Sequence, residues 1–282
     1  MQSISTRACN AARMMMPMLI RMLLLTVGLS LWSMSYGAEE IRLAAATSTQ
    51  DSGLLDFLLP PFETRYGIKV RVIAAGTGKA LKLGENGDVD AVLVHSRNDE
   101  DQFMAAGYGV LRRDLMENNF LLVGPPDDPA GINGMHDIVA VFKRLAETHS
   151  KFISRGDNSG THKAELHIWH AAGITPNWSN YIAAGQGQGD TIGLASERQA
   201  YMLVDSATYW AYQERSGLAV LVESAARNPY AVIAVNPARH TQINHRGALQ
   251  LIAWLTSRDG QQRIAAFNLH GRQLFNPIAM QP

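Results

Sequence analysis

Residues 154–161 read Ser-Arg-Gly-Asp-Asn-Ser-Gly-Thr, and a helix-like run over residues 161–172 follows at once. The segment before this loop, Lys151–Ser154, reads as a short strand. Glycines, hydroxyls and the Arg155 guanidinium therefore lie between a strand and a helix N-terminus, which Ser159 or Asp157 would cap. Backbone N–H groups at such an N-terminus, together with one cation, suit an anion. Because the loop offers no obvious nucleophile and base, it predicts binding of an oxyanion rather than its conversion.

Three other polar or glycine-rich turns occupy similar positions. The turns 47–52 and 76–78 follow predicted strands at 41–46 and 69–74, and the turn 185–190 precedes a predicted helix at 191–199. Ligands of open α/β sheets bind outside the carboxyl ends of the strands, so these turns and the first loop are expected to face one ligand. Taken alone, each hydroxyl in them is an ordinary cap or turn residue, and the prediction depends on their joint placement.

The rest of the chain predicts an α/β fold. The opening third repeats strand, polar loop and helix, the pattern of a parallel α/β layer, and prolines 60 and 61 are expected to break or kink its first long helix. A proline-rich break at 125–129 marks the crossing into a second domain. Further strands are predicted at 120–124, 200–204, 218–222 and 231–235, and two helices near 248–255 and 260–267.

The N-terminus has the pattern of a signal peptide. Arg7, Arg13 and Arg21 precede an apolar run, residues 22–32, and small residues follow it, which predicts cleavage after Gly37. The run is shorter than the roughly 20 residues that span a bilayer, so an uncleaved anchor is the weaker reading. The sole cysteine, Cys9, precedes the apolar run and is not a lipid-attachment residue. These features predict a periplasmic protein that is not itself embedded in the membrane.

The charge balance argues for a local anion site. Removal of residues 1–37 leaves 22 basic and 25 acidic residues, and no basic run occurs. A slightly acidic chain of this kind is a poor binder of nucleic acid. An anion would therefore have to be held by a small cluster of donors.

A hydrolase is the rival from another class. It would use Ser159 or Thr161 with His162, but no G-x-S-x-G elbow is present. The turns at 76–80 and 185–189 match neither a phosphate-binding P-loop nor the dinucleotide fingerprint. The prediction is a binding protein and not an enzyme.

Several segments together resemble the periplasmic tungstate-binding proteins of tungstate ABC transporters. The matching segments are LAAATSTQDSGLL (43–55), AGTGKALKLG (75–84), DVDAVLVH (88–95), SRGDNSGT (154–161), NPY (228–230) and WLTS (254–257). The resemblance covers about residues 40–280. It implies a type II periplasmic binding protein fold, with two α/β lobes joined by a two-crossing hinge. The expected organisation is a signal peptide at 1–37, a discontinuous lobe I at 38–123 and 229–282, and lobe II at 124–228.

The resemblance also implies a ligand and its contacts. Tungstate, and also molybdate, would be held between the lobes and delivered to the permease subunit of an ABC importer by a monomeric protein. No cofactor is implied, and metal enters only as the oxyanion. The implied ligand-binding residues are Thr47, Ser48, Thr77, Arg155, Ser159, Gly160, Thr161, and, as a weaker match, Gln186 and Gly187.

Two points stay open at this level. The family commonly has hydroxyl residues where this chain has Ala45 and Ala46, so either two potential donors are missing, with an effect on affinity or selectivity, or these positions are not ligands. Phosphate is the alternative ligand, since phosphate-binding proteins carry a similar Arg-x-Asp-x-Ser-Gly-Thr loop. Hydrogen phosphate prefers a site with an acceptor, and Asp157 is the candidate for it, whereas fully deprotonated tungstate suits a site made only of donors.

Overall fold

The computed structural model describes residues 39–279 of the 282-residue chain. The predicted signal peptide, residues 1–37, lies outside the described residues, and its cleavage stays a prediction. Within residues 39–279 no helix has both the length and the apolar character that a membrane crossing requires.

Strands and helices alternate along most of the described chain. The strands are β1 (Glu39–Ala46), β2 (Ile68–Ala75), β3 (Ala91–Val94), β4 (Gly109–Gly124), β5 (Phe152–Ser154), β6 (Tyr181–Ala183), β7 (Met202–Asp205), β8 (Ala219–Val235), β9 (Asn268–Leu269), β10 (Arg272–Gln273) and β11 (Asn276–Pro277). The helices are α1 (Thr47–Asp51), α2 (Leu54–Tyr66), α3 (Thr77–Asn86), α4 (Arg97–Ala105), α5 (Ile138–Glu147), α6 (Gly160–Ala171), α7 (Gln188–Arg198), α8 (Ser206–Ser216), α9 (His245–Leu255) and α10 (Arg258–Ala266).

One mixed sheet runs through the described residues. Its strand order is β11, β4, β8, β3, β1, β2, and β7 pairs with β4 beside this path. β1 pairs in parallel with β2 and β3, whereas β8 pairs antiparallel with β3 and β4. A separate parallel pair joins β5 and β6. Since β1, β2 and β5 all lead directly towards helices, their carboxyl ends carry the polar turns that the sequence singled out.

The buried apolar side chains form cores in two parts of the fold. Around β1, β2 and β3, one core packs against α2, α9 and α10, and another lies against α3 and α4. Around β5 and β7, a third core packs against α5 and α6, and a fourth against α7 and α8. Each part therefore has a sheet with helices on both faces, the layered arrangement of an α/β domain.

The two long antiparallel strands pass from one part to the other. On β4, Met116 belongs to the first core and Phe120 to the third, and on β8 the same change occurs between Val222 and Tyr230. Residues 120–122 thus pack with the second part, although the predicted division counted them with lobe I. No loop marks this change, because the strands continue through it, and the break at 125–129 follows it.

Three local predictions differ from the structure. The strands predicted at 218–222 and 231–235 are parts of the single strand β8, and β4 begins at Gly109 rather than at 120. α2 continues through Pro60 and Pro61, because its side chains Leu54, Leu58 and Phe62 are fully buried against the core. Tertiary packing of an apolar face outweighs the loss of backbone hydrogen bonds at the two prolines.

Candidate functional site

Four helix N-termini point to one place in the fold. α1, α3, α6 and α7 each begin directly at one of the predicted polar turns. Arg155, in the loop before α6, donates to Thr47 at the start of α1 and to Gln188 at the start of α7. A Cβ added to Gly76, just before α3, would lie 3.5 Å from the Asp157 backbone oxygen. The positive ends of four helix dipoles therefore surround Arg155, which favours a bound anion.

Local backbone geometry explains why the loop before α6 has this sequence. Gly156 and Asn158 adopt φ of +64° and +60°, a left-handed conformation that glycine and asparagine tolerate best. Ser159 is the N-cap of α6 and accepts the His162 N–H at 3.3 Å. A Cβ on Gly160 would approach the His95 ring to 2.7 Å, so only glycine allows the loop to lie this close to the end of β3.

Arg155 is the charged centre of the site. Its side chain is 1% exposed, and Nη1 donates to Gln188 Oε1 at 3.0 Å. Nη2 donates to Thr47 Oγ1 at 3.2 Å and pairs with the Asp157 carboxylate. The other Asp157 oxygen accepts the Ser159 N–H at 3.1 Å. Asp157 therefore orients Arg155 and the loop, and each of its oxygens already accepts a hydrogen bond from the protein.

Several buried donors around Arg155 have no hydrogen-bond partner among residues 39–279. They are the hydroxyls of Thr77 and Thr161, Arg155 Nε and Gln188 Nε2. The Thr47 hydroxyl oxygen accepts from Arg155, which leaves its proton free to donate. Buried polar groups are normally paired, because an unpaired one costs about 1–3 kcal/mol. Thr47, Thr77, Arg155, Thr161 and Gln188, which we call the donor cluster, are arranged to receive a ligand that only accepts.

Other charges near the donor cluster are few. Asp51 in α1 accepts the Gly189 N–H at the start of α7 at 3.3 Å, and burial raises the pKa of this carboxyl. Burial lowers the pKa of His162, which favours its neutral form. The positive potential at the site therefore comes from Arg155 and from the helix N-termini.

The structure brings together most of the predicted site residues. Thr47, Thr77 and Arg155 lie at the donor cluster, with Ser159, Gly160 and Thr161 in the loop and first turn of α6. Gly187 contributes only backbone, as the N-cap of α7. The Gln186 side chain is exposed and lines a surface groove beside Tyr212 and Arg215, away from the cluster.

Sequence reasoning missed Gln188. It is fully buried at the first position of α7 and bonded to Arg155. In the turn Gly185-Gln-Gly-Gln-Gly, two glutamines alternate with glycines, so composition does not tell which glutamine begins the helix. The predicted helix began at 191, three residues late, and that error placed Gln188 in the turn.

Ser48 belongs to a second buried cluster, behind the first. Its hydroxyl lies 3.1 Å from Tyr230 Oη, and Tyr230 donates its own proton to Asp205 Oδ2 at 2.6 Å. Ser48 must then donate to Tyr230, which leaves only its backbone N–H for a ligand. Asn118 and Asn228 also donate to Asp205 Oδ2, at 2.8 and 2.9 Å. We call Ser48, Asn118, Asp205, Asn228 and Tyr230 the Asp205 network.

The residues of the rival hydrolase are not arranged as nucleophile and base. The Ser159 hydroxyl accepts the backbone N–H of His162, and His162 Nδ1 accepts the Asn158 N–H at 3.1 Å. Both side chains are therefore used to shape the start of α6.

Comparisons with known proteins identify the family of the chain. The description "PBP superfamily domain" belongs to the family model that matches residues 35–259. The tungstate-binding protein TupA of Peptoclostridium acidaminophilum is 45% identical over 245 residues, which cover 85% of this chain and 86% of the relative.

Two solved structures are similar along nearly their whole length. A tungstate ABC transporter structure from Geobacter sulfurreducens has 47% identity and a TM-score of 0.77, covering 81% of this chain and 99% of its own. TupA from Desulfovibrio alaskensis G20 has 40% identity and a TM-score of 0.71, with 86% and 99% covered. The chain therefore belongs to the PBP superfamily and, within it, to the family of the TupA proteins.

Proposed function

We propose that this protein captures tungstate, and also molybdate, as a dianion at the donor cluster and delivers it to an ABC importer. The observation that carries the proposal is a set of buried donors without partners around one buried guanidinium. The names of the relatives with 40–47% identity support tungstate as the ligand. The ligand contacts we propose are the hydroxyls of Thr47, Thr77 and Thr161, the Arg155 guanidinium, and backbone N–H groups at Ser48, Ser159, Gly160 and Gly187.

The hydrogen-bonding state of Asp157 favours tungstate over phosphate. Both Asp157 oxygens accept hydrogen bonds from within the loop, one from Arg155 and one from the Ser159 N–H. The carboxylate therefore already has protein donors that explain its position, and a fully deprotonated dianion needs only donors from the site. These hydrogen bonds support a structural role for Asp157 rather than a role as acceptor of a ligand's hydrogen.

We further propose that two lobes close over the anion. The sequence division, 38–123 and 229–282 for lobe I and 124–228 for lobe II, is kept in this proposal except that residues 120–123 pack with lobe II, so the hinge lies where β4 and β8 change cores. Contacts between the two parts flank the site, since Lys163 in α6 pairs with Asp99 in α4, and Gly189 in α7 donates to Asp51 in α1. A permease that recognises the closed form would then receive only loaded protein.

The location and state of the protein follow the sequence pattern. We infer that residues 1–37 direct export and are removed, so that the mature chain works in the periplasm. We also propose that it is a monomer. Intact mass and sedimentation of the secreted protein test both statements.

Calorimetric titration of the dialysed mature protein tests the ligand. We expect one-to-one binding of tungstate and molybdate that phosphate and sulfate do not displace. Displacement of tungstate by equimolar phosphate would make phosphate the ligand and Asp157 its acceptor. Turnover of an ester substrate that is lost in His162→Ala would instead favour the hydrolase.

A further inference from the structure

The side-chain amide of Gln188 makes one hydrogen bond within the described residues, and its NH₂ group makes none. It is fully buried at the start of α7, and its Oε1 accepts from Arg155 Nη1 at 3.0 Å. Its Nε2 is buried and has no partner among the described residues. We propose that Gln188 is a direct ligand of the oxyanion and determines which anions the site accepts. The inference rests on the proposed function of the donor cluster.

The orientation of the amide is fixed by its neighbour. A guanidinium only donates, so the atom of Gln188 that faces Arg155 must be the oxygen, and the amide cannot be flipped. The NH₂ group therefore faces away from Arg155 Nη1. A buried amide with two free N–H bonds costs free energy unless a ligand accepts from it.

The neighbours of Gln188 leave an anion as the natural acceptor. The next residue, Gly189, has its N–H bonded to Asp51, so the helix end beside Gln188 is already held by the opposite part of the fold. Arg155 Nε and the hydroxyls of Thr77 and Thr161 share the unpaired state of Gln188 Nε2. An oxyanion with four oxygens would accept from several of these donors at once.

Gln188 also decides the chemical character of the site. Its acceptor, Oε1, receives a hydrogen bond from Arg155, just as the two Asp157 oxygens receive theirs from Arg155 and the Ser159 N–H. Each of these acceptor oxygens therefore already has a donor from the protein, whereas the Gln188 NH₂ group has no acceptor among the described residues. The free NH₂ group of a glutamine here favours a fully deprotonated anion, whereas a glutamate would provide a charged acceptor for the hydrogen of a protonated anion.

Three variants of the mature chain test the proposal by calorimetry. Gln188→Met removes the donor, and we expect tungstate affinity to fall about 10- to 100-fold, the usual size of one or two charge-assisted hydrogen bonds. Gln186→Met changes the exposed glutamine two residues earlier and serves as the matched control, with affinity unchanged. Thermal unfolding without anion should show that both variants fold.

Gln188→Glu separates ligand contact from support of Arg155. The carboxylate keeps the contact to Arg155, and its charge repels tungstate and hydrogen phosphate alike, but only hydrogen phosphate gains an acceptor. We expect the ratio of tungstate to phosphate affinity to fall at least about tenfold. An unchanged ratio would overturn the role in selectivity and leave Gln188 as a positioning residue.

A direct readout completes the test. The side-chain ¹⁵N–¹H signals of Gln188, assigned by their loss in Gln188→Met, should shift when tungstate is added and should exchange more slowly with solvent. Signals that do not move on saturation would overturn direct contact.

The proposed function and the role of Gln188 can fail separately. If the unaltered protein binds another oxyanion instead of tungstate, the ligand proposal fails, and the same variants are titrated with that anion. Loss of its affinity in Gln188→Met and not in Gln186→Met would still support the contact. If no oxyanion binds, both proposals are overturned.

Discussion

The donor cluster and the Asp205 network are adjacent buried polar regions that differ in whether their donors have acceptors within the protein. In the network, the Asp205 carboxylate accepts from Asn118, Tyr230 and Asn228 on one oxygen and from Thr208 on the other. In the donor cluster, Arg155 Nε, Gln188 Nε2 and hydroxyls have no acceptor within the described chain. The network contains its own anion, whereas the cluster is built for an anion from outside.

The two regions touch each other. The His95 ring stacks on Tyr230 with centroids 4.5 Å apart, and its Nδ1 lies 2.8 Å from Asn228 Oδ1. The same ring lies against Gly160, at the start of α6. Burial lowers the pKa of His95, so a neutral ring separates the internal carboxylate from the loop that carries Arg155. A rigid, satisfied network therefore supports a site whose donors are left free.

The largest effect should come from the only guanidinium at the donor cluster. We expect Arg155→Ala to lower tungstate affinity about 1000-fold or more, roughly 4 kcal/mol, because a buried dianion loses its only opposite charge. The measurement is calorimetric titration of the variant beside the unaltered protein.

A surface arginine provides the control for that change. Arg97 pairs with Asp101 at 2.8 Å with both side chains more than half exposed, so Arg97→Ala should leave affinity unchanged. Near-native affinity in a folded Arg155→Ala variant would show that Arg155 is not a ligand. It would also contradict the proposal that the donor cluster, unlike the Asp205 network, binds an external anion.

A third buried carboxylate, Glu165 in α6, sharpens the comparison through pH. Glu165 Oε1 accepts from Trp169 Nε1 at 3.1 Å and Tyr181 Oη at 2.8 Å, fewer donors than Asp205 receives, and burial raises its pKa to about 7. Below the ordinary pKa of 4.5, the folded and unfolded states are both protonated and its contribution to stability is complete. As the pH rises to about 7 this contribution is lost, and the free energy of unfolding falls by about 3 kcal/mol in total.

Glu165→Gln should abolish this decline, because glutamine keeps an acceptor oxygen and does not titrate. Urea unfolding of the anion-free protein at several pH values between about 5 and 8 measures the slope. Glu147→Gln, an exposed change at the end of α5, is the control and should keep the original slope. Equal slopes in all three proteins would show that Glu165 titrates normally.

The sequence contained the fold class and most of the donor cluster, because both depend on local patterns. Alternating strands and helices with polar turns indicate an α/β fold, and the loop around Arg155 is typical of an anion site. The Asp205 network could not be predicted from the sequence, since Asn118, Asp205 and Tyr230 come from distant strands that meet only through the register of β4, β7 and β8. The use of Ser48 within that network, and of Gln188 instead of Gln186, depends on the same long-range placement.

The smallest effects give the sharpest contrast, because deleting one hydroxyl should have opposite consequences in the two regions. Thr77→Val removes a buried hydroxyl without a partner, so the anion-free protein should gain up to about 1 kcal/mol in stability while tungstate affinity falls about tenfold. Tyr230→Phe takes one donor from Asp205 and the partner from Ser48, and should cost about 1–3 kcal/mol of stability. Urea unfolding and titration of both variants measure the two signs. If both variants lost stability equally, the Thr77 hydroxyl would have an internal partner, and Thr77 would no longer be a proposed ligand.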